Sequence, residues 1–594
     1  MDAGAILAQC RLFAGLPPQA LQQLAALCEP LELRGGDTLF GVGQPAEHLY
    51  LVALGRLRAR LPDGSIAGDI GRLEPAGEIS LLSGEPHSAE VQALRDSLLL
   101  RLPRVPLIEF LQTYPAALLA LTRTIVQRMR RNQREAVKDT ARGGQTLALI
   151  GGGSLDVAAL AQRLQSALSE SGAPIELIGA NTIDAVFGAG AAHAPLREIE
   201  FDAQRMAWIG RIENSGHTLL LYAREDDPVW AERCLRQADR ILIAVDSTEP
   251  ARDTALLARL RELALRTPVE LLILRADDAA AGDVQGWRRL GGARAHYFVR
   301  PQPEPTSTAD YASVARQLSG RGLGLVLGGG GARAFAHIGL MRALEQLRIP
   351  VDLAGGTSMG AFFAALRACG ADSYEMQRVA RETFIEHNYL NDYVLPRVSL
   401  IRGRKFLAHL RAIFGERRIE ELRLPYFAVS TNLSRATTMV HDSGPLAVWV
   451  GTSMSVPGFS PPVAYRGELL VDGAVTNSLP TDVMLQLGRG PIVASDVSTD
   501  GSLLAPGIEG PDQEALLNQA VRPPVTLIDI LFASAVLTSE SGVRARAARA
   551  DLYLRMPVSG VGLFDWKQLD TIVDRCCEYA LPRLEAFARG LSAA

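Results

Sequence analysis

A serine set between two glycines, Gly356-Thr357-Ser358-Met359-Gly360, is the stretch of this chain best suited to covalent chemistry. Glycine at both flanks lets the backbone turn sharply from a strand into a helix, and that turn presents the serine oxygen at the helix N-terminus, as in a nucleophile elbow. The neighbouring residues supply the required context. Val351 to Gly355 read as a short buried strand, Ala361 to Ala368 as a helix, and Gly370 falls where that helix needs a C-cap. Earlier in the chain, Leu323 to Leu327 read as a second apolar strand that runs into Gly328-Gly329-Gly330-Gly331-Ala332-Arg333 and then into a helical stretch through Leu347. Consecutive glycines between strand and helix leave backbone N–H groups bare and converging, which suits an anion. In acyl transfer that anion is the oxyanion of the tetrahedral intermediate. A dinucleotide loop fits less well. Ala334 holds its last glycine place, and no acidic residue ends the following strand, where Asp352 and then the elbow stand instead.

A serine nucleophile needs a base, and Asp472-Gly473-Ala474 follows the strand-like Glu468 to Val471. A carboxylate at a strand end, next to glycine, is free to approach a hydroxyl. An isolated Asp-Gly is a turn signal, so Asp472 gains weight only beside the other two motifs. Glycine loop, elbow and Asp-Gly-Ala, in this order, resemble the patatin-like phospholipase family over Gly320 to about Ser498. The resemblance implies a Ser358–Asp472 dyad in place of a triad, with Gly328, Gly329, Gly330, Gly331, Ala332 and Arg333 as the oxyanion hole. It also implies hydrolysis of acyl esters of phospholipids or lysophospholipids, without metal or cofactor.

His337 is the residue a triad would recruit, but in hydrolases with this elbow the histidine follows its serine in the chain. A packing role on the helix is expected of it. His387, His409 and His441 do follow Ser358, yet none stands at a glycine-flanked strand end, and they read as surface or core residues. The rival from another functional class is a signal-responsive scaffold with a silent esterase core. Intact Ser358, Asp472 and glycine loop argue against it.

A chain of 594 residues is too long for one core and implies about three or four domains. A hydrophobic fraction of 48%, with 21% charged residues, describes a globular protein, and a net charge of −4 argues against a general nucleic-acid binder. Six cysteines, with only Cys576 and Cys577 adjacent, form neither a disulfide framework nor a zinc pattern, so a reducing, cytoplasmic setting is expected. No secretory signal opens the sequence and no apolar run is long enough to span a bilayer. A lipid substrate must then be reached from the membrane surface by peripheral contact. Phe362-Phe363 and the loop from Val456 to Pro462 are the candidate faces, although core or rigid-loop positions are the favoured reading of both.

Before the esterase core, Leu31 to Leu33, Thr38 to Phe40, Leu49 to Val52 and Leu57 to Leu61 alternate with glycine turns and predict an antiparallel jelly roll. Helices are expected at Pro18 to Leu27 and Leu107 to Arg130. Gly77-Glu78 and Pro86-His87-Ser88 resemble the phosphate-binding cassette of cyclic-nucleotide-binding domains. That resemblance implies that Glu78 holds a ribose hydroxyl, but His87 stands where the family has the phosphate-binding arginine, so cyclic-nucleotide binding is doubtful. The basic run Arg128 to Arg142 reads as a helix end and linker with a solvated face, with an acidic-lipid contact as the alternative. From Gln145 to Arg300, strands at Thr146 to Ile150, Leu219 to Tyr222, Arg240 to Val245 and Glu270 to Leu274 alternate with helices and predict a parallel α/β layer. Gly151-Gly152-Gly153-Ser154 follows its first strand without the Lys-Ser or Lys-Thr of a phosphate loop, and no nucleotide hydrolysis is expected there. Trp208-Ile209-Gly210 and the stretch Trp230 to Asp239 resemble the corresponding region of neuropathy target esterase and its bacterial relatives. The fold expected is multidomain: a cyclic-nucleotide-binding-like jelly roll over 1–135, a middle α/β domain over 145–305, and a patatin-like α/β hydrolase over 318–594, with its motif core at 322–498.

Overall fold

The structure is a computed structural model describing residues 3–125, 145–498 and 527–593, apart from residues 11, 14, 65, 124, 171, 173, 196–198, 216, 264–266, 278, 302–304 and 388. The chain forms two compact units, Met1–Ala315 and Arg316–Ala594.

The first unit opens with two four-stranded antiparallel sheets. One orders Glu29–Leu33, Ser97–Pro103, His48–Leu54 and Pro75–Ala76, and the other orders Thr38–Phe40, Glu90–Ala93, Leu57–Arg60 and Ile66–Ile70. All four expected strands are present in this jelly roll, and the expected first helix is Pro18–Ala26. The second is interrupted. Arg104–Thr113 ends at Tyr114, whose φ of −122° and ψ of 77° leave the helical region because Pro115 follows, and Pro115–Arg123 continues at a 110° bend. Only this bent pair, taken together, has the length and apolarity of a membrane span; among the described residues no single helix has both. The basic run Arg128 to Arg142 lies outside the described residues.

The same unit continues as a six-stranded, wholly parallel sheet in the order 2-3-1-4-5-6, counted along the chain from Thr146–Gly151. The sequence reading missed strands 2 and 6, Ile175–Ile178 and Ala295–Val299. Both are edges, covered less completely and therefore less uniformly apolar than the central strands.

The second unit carries an eight-stranded mixed sheet. Its parallel centre runs Tyr426–Asn432, Leu353–Thr357, Gly324–Leu327, Ile492–Asp496 and Leu552–Arg555, and Glu468–Asp472 pairs antiparallel with Tyr426–Asn432. The central strands are buried along their whole length, as their unbroken apolar runs require. Helices Ala336–Gln346, Met359–Ala368 and Leu446–Ser453 build the main core beside it, with the long C-terminal helix Leu569–Ala593 contributing further apolar side chains. The glycine loop and Ser358 thus follow two adjacent strands, and Asp472 ends a third that lies beyond Tyr426–Asn432.

Candidate active site

Ser358 stands between the strand Leu353–Thr357 and the helix Met359–Ala368 with φ 55° and ψ −127°, a conformation seldom taken by residues with a side chain. The flanking glycines are sterically required. A Cβ on Gly356 would lie 2.6 Å from the carbonyl carbon of Gly360, and one on Gly360 would lie 2.2 Å from the Leu327 oxygen. The Ser358 hydroxyl donates to Asp472 Oδ2 at 2.6 Å, and the Ala474 N–H donates to Asp472 Oδ1 at 2.8 Å. Gly473 lets this carboxylate approach, because a Cβ there would meet the Val429 oxygen at 2.3 Å.

Asp472 is fully buried, and burial raises its pKa from the ordinary 3.8 to about 7, against the lowering effect of its two hydrogen bonds. A carboxylate poised near neutrality can take a proton from a hydroxyl and return it.

The sequence reading missed the element that holds this pair. Ser453, at the end of the helix Leu446–Ser453, accepts the Ser358 N–H at 2.9 Å and donates its own hydroxyl to Val429 O at 2.6 Å. Two residues on, the Ser455 carbonyl accepts the Asp472 N–H at 2.9 Å. One short segment therefore ties the backbones of both residues, and nothing in the composition of that segment distinguishes it from a helix C-terminus.

The glycine loop is narrower in capacity than its six residues suggest. Gly328 N–H donates to Ser495 O, Gly329 N–H to Ser478 O, Ala332 N–H to Leu563 O and Arg333 N–H to Gly330 O. The N–H groups of Gly330 and Gly331, and that of Met359 in the first turn after the elbow, have no partner among the described residues. Of the six residues expected to supply the oxyanion hole, Gly330 and Gly331 alone keep unpartnered N–H groups among the described residues, because the carbonyls of Ser495, Ser478, Leu563 and Gly330 take the other four. Arg333 points its side chain away, with Nε donating to Val561 O.

His337 is fully buried, with Nε2 2.8 Å from Gly328 O and Nδ1 2.9 Å from Ser495 Oγ. Burial lowers its pKa to about 4, so the neutral ring donates to Gly328 O, accepts from Ser495 and braces the base of the glycine loop. His441 bonds Ser430 Oγ and stacks on Trp449, and His409 bonds Thr383 and stacks on Tyr389. His387 is exposed. Asp352 is buried, accepting the Leu323 N–H and pairing with Arg316, and so belongs to the strand framework.

Ser358 is only 5% exposed and lies on the floor of an apolar pocket rather than at an open surface. Phe384, Leu390, Phe406, Met454, Val456, Phe459, Leu563, Phe564 and Trp566 line it. A chain of methylenes fits such walls, and the polar groups gather at Ser358 and Gly331. Phe362 and Phe363 are fully buried in the helix core and offer no membrane face. Val456 and Phe459 of the second candidate loop are pocket walls. Among the described residues no group of three or more His, Cys, Asp or Glu side chains is arranged to hold a metal ion.

In the jelly roll, Gly77 adopts φ 84° ahead of the short helix Glu78–Ser83; Glu78 and His87 are buried and Ser88 is exposed. The His87 ring stacks on Phe40 with centroids 3.7 Å apart, and burial lowers its pKa. It is thus a neutral packing group at the place where the resemblance implies a cation. In the parallel sheet, the glycine loop after Thr146–Gly151 faces carboxylates. A Cβ on Gly152 would lie 2.1 Å from Glu225 Oε2, and one on Gly153 3.0 Å from Glu249 Oε1. Two carboxylates oppose a phosphate at that loop.

Comparison with known proteins matches three family models in chain order. Residues 30–114 match the cyclic nucleotide-binding domain, residues 145–310 the neuropathy target esterase family P-loop-like domain, and residues 325–485 the patatin-like phospholipases. An uncharacterized NTE family protein of Mycobacterium tuberculosis is 28% identical over 96% of this chain and 95% of its own length. Patatin-like phospholipase domain-containing protein 7 of Mus musculus is 31% identical over 81% of this chain and 39% of its own length. Patatin-like phospholipase domain-containing protein 6 of Homo sapiens is 28% identical over 94% of this chain and 44% of its own length.

Proposed function

The chain belongs to the patatin-like phospholipase family, of the neuropathy target esterase type, and from that premise we propose that it hydrolyses acyl ester bonds of phospholipids or lysophospholipids through a Ser358–Asp472 dyad. The observation that carries this reading is the 2.6 Å hydrogen bond from Ser358 to a fully buried Asp472 whose pKa lies near 7, at the floor of an apolar pocket. Ser358 Oγ attacks the ester carbonyl as its proton passes to Asp472. The carbonyl oxygen becomes an oxyanion, held by the free N–H groups of Gly330 and Gly331. Collapse expels the alcohol, which takes the proton from Asp472, and leaves an acyl group on Ser358. Water, deprotonated by Asp472, attacks the acyl-enzyme, and collapse of the second tetrahedral intermediate returns that proton from Asp472 to Ser358 Oγ and releases the fatty acid.

Ser453 and Ser455 position the two reacting groups, and His337 keeps the glycine loop in place from behind. The pocket walls accept the acyl chain. Six unpaired cysteines support a reducing compartment, and the divisions 1–135, 145–305 and 318–594 are the proposed domain limits. A fluorophosphonate probe tests the reading: it is expected to label Ser358 in the full chain and to fail on Ser358→Ala. Fatty acid release from lysophosphatidylcholine is expected to vanish in the same variant. Lipid hydrolysis that survives in Ser358→Ala refutes the assignment.

A further inference from the structure

Beside the pocket, residues 392–402 form a hairpin. Tyr393 and Ile401 bridge antiparallel, Val394 N–H donates to Leu400 O, and Arg402 N–H donates to Asp392 O. Its returning strand is fixed to the pocket wall, with Leu400 N–H donating to Gly458 O and Ile401 N–H to Phe459 O, each at 3.0 Å. The tip is apolar yet turned to solvent: Leu395 is 81% exposed and Val398 68%. Phe564, a pocket wall, is itself 39% exposed.

Isolated exposed apolar residues are ordinary on protein surfaces. This group differs in its company. Arg397 stands between Leu395 and Val398, and Arg402 and Arg404 follow at the base; all three are exposed and have no ion-pair partner among the described residues. The nearby carboxylate of Asp392 is engaged in accepting the N–H groups of Gly403, Arg404 and Lys405. In a chain of net charge −4, residues 392–404 therefore set three arginines against the single carboxylate of Asp392, an excess of positive charge around an aliphatic tip.

We propose that the 392–402 hairpin docks on an anionic phospholipid bilayer, with Leu395 and Val398 entering the acyl boundary and Arg397, Arg402 and Arg404 meeting lipid phosphates. In water neither the aliphatic tip nor the guanidinium groups gain a partner. At a lipid interface both do, because apolar side chains lose water while cations beside them meet negative headgroups. The hydrogen bonds to Gly458 and Phe459, the latter a pocket wall, would hold the docked hairpin beside the pocket. The inference rests on the lipid-esterase reading for its purpose, but not for its test.

The test uses the full chain as Ser358→Ala, so that no hydrolysis alters the vesicles, in co-sedimentation with phosphatidylcholine vesicles and with vesicles mixing phosphatidylcholine and phosphatidylglycerol. Binding to the mixed vesicles is expected, weakened by salt and stronger than binding to phosphatidylcholine alone. Leu395→Asp with Val398→Asp is expected to reduce it at least about tenfold. Arg397→Glu, which leaves the apolar tip in place, is expected to reduce it about fivefold or more and serves should the double variant not fold. Unchanged binding in a folded variant overturns the proposal, as does absence of binding to mixed vesicles. A self-association that the double variant dissolves assigns the tip to a second copy and also overturns it. In protein with Ser358 intact, wild type and hairpin variants are expected to label equally with the fluorophosphonate; absence of labelling in the wild type refutes the esterase reading, whereas failure of the wild type to bind the mixed vesicles refutes only the docking.

Discussion

Replacing Asp472 with Asn is expected to abolish turnover while making the fold more stable, by an amount that depends on pH. In the native state the carboxylate is fully buried and its pKa is about 7, against 3.8 when the group is hydrated. Below pH 4 it is protonated in both folded and unfolded chains, and burial costs little. As pH rises from 4 to 7 the unfolded chain releases the proton while the folded one retains it, so stability falls; above 7 the full cost of the buried charge is present. At about 1.4 kcal/mol per pH unit across that interval, the cost reaches at most about 4 kcal/mol, and about half of that at pH 5.5. Asparagine removes the charge and preserves shape. Its carbonyl oxygen can accept the Ala474 N–H that now reaches Oδ1, and its amide can donate to Ser358. A gain of about 1–4 kcal/mol in a unit of this size corresponds to a melting temperature higher by about 3–10 °C at pH 8.5. Scanning calorimetry of wild type and Asp472→Asn at pH 8.5 and 5.5 measures it, beside turnover on a soluble ester, expected to drop on the order of 10³-fold or more. The reasoning fails if the variant is less stable than wild type at pH 8.5, or if the difference does not shrink toward acid pH. Retention of more than about a tenth of the activity refutes the dyad itself.

The same pKa predicts that kcat/KM of the wild type rises with pH through about 7, since only the ionised carboxylate can accept the Ser358 proton; a flat profile from pH 5.5 to 8.5 contradicts this. Ser453→Ala is expected to lower turnover about 10- to 100-fold at nearly constant KM, because the elbow N–H loses its acceptor and Ser358 shifts; full-rate fluorophosphonate labelling of that variant refutes the clamp. Gly330→Ala is the cleaner probe of the oxyanion loop, because its new methyl meets the Val497 side chain, whereas at Gly331 a Cβ would strike the Leu563 carbonyl at 2.4 Å; turnover is expected to fall with little change in KM, and the reverse pattern assigns the loop to substrate binding. The jelly roll is expected not to bind cyclic AMP or cyclic GMP tightly, because neutral His87 is stacked on Phe40; submicromolar binding to the full chain in isothermal titration refutes this.

The parts of this site visible in the sequence are those fixed by local backbone sterics. A serine turn between Leu353–Thr357 and Met359–Ala368 can be made only where Gly356 leaves room for the first helical turn, and Asp472 can approach only beside a residue without a Cβ, so the glycines, read with the strands and helix around them and with the order of the three motifs, marked both as candidates. Alternating apolar runs likewise revealed the jelly roll and the central parallel strands, and failed at the edges Ile175–Ile178 and Ala295–Val299, where one-sided covering weakens the pattern. The free donors of the glycine loop could not be read from its residues, because Ser478, Ser495 and Leu563 arrive from distant segments to take the others. Ser453 acquires its position only when the helix ending there packs under the elbow. The fate of Phe362 and Phe363, buried in the core while Leu395 and Val398 stay in water, depends on which neighbouring segments cover them. The basicity of Asp472 also belongs to the tertiary structure, since burial raises its pKa and only packing decides what is buried.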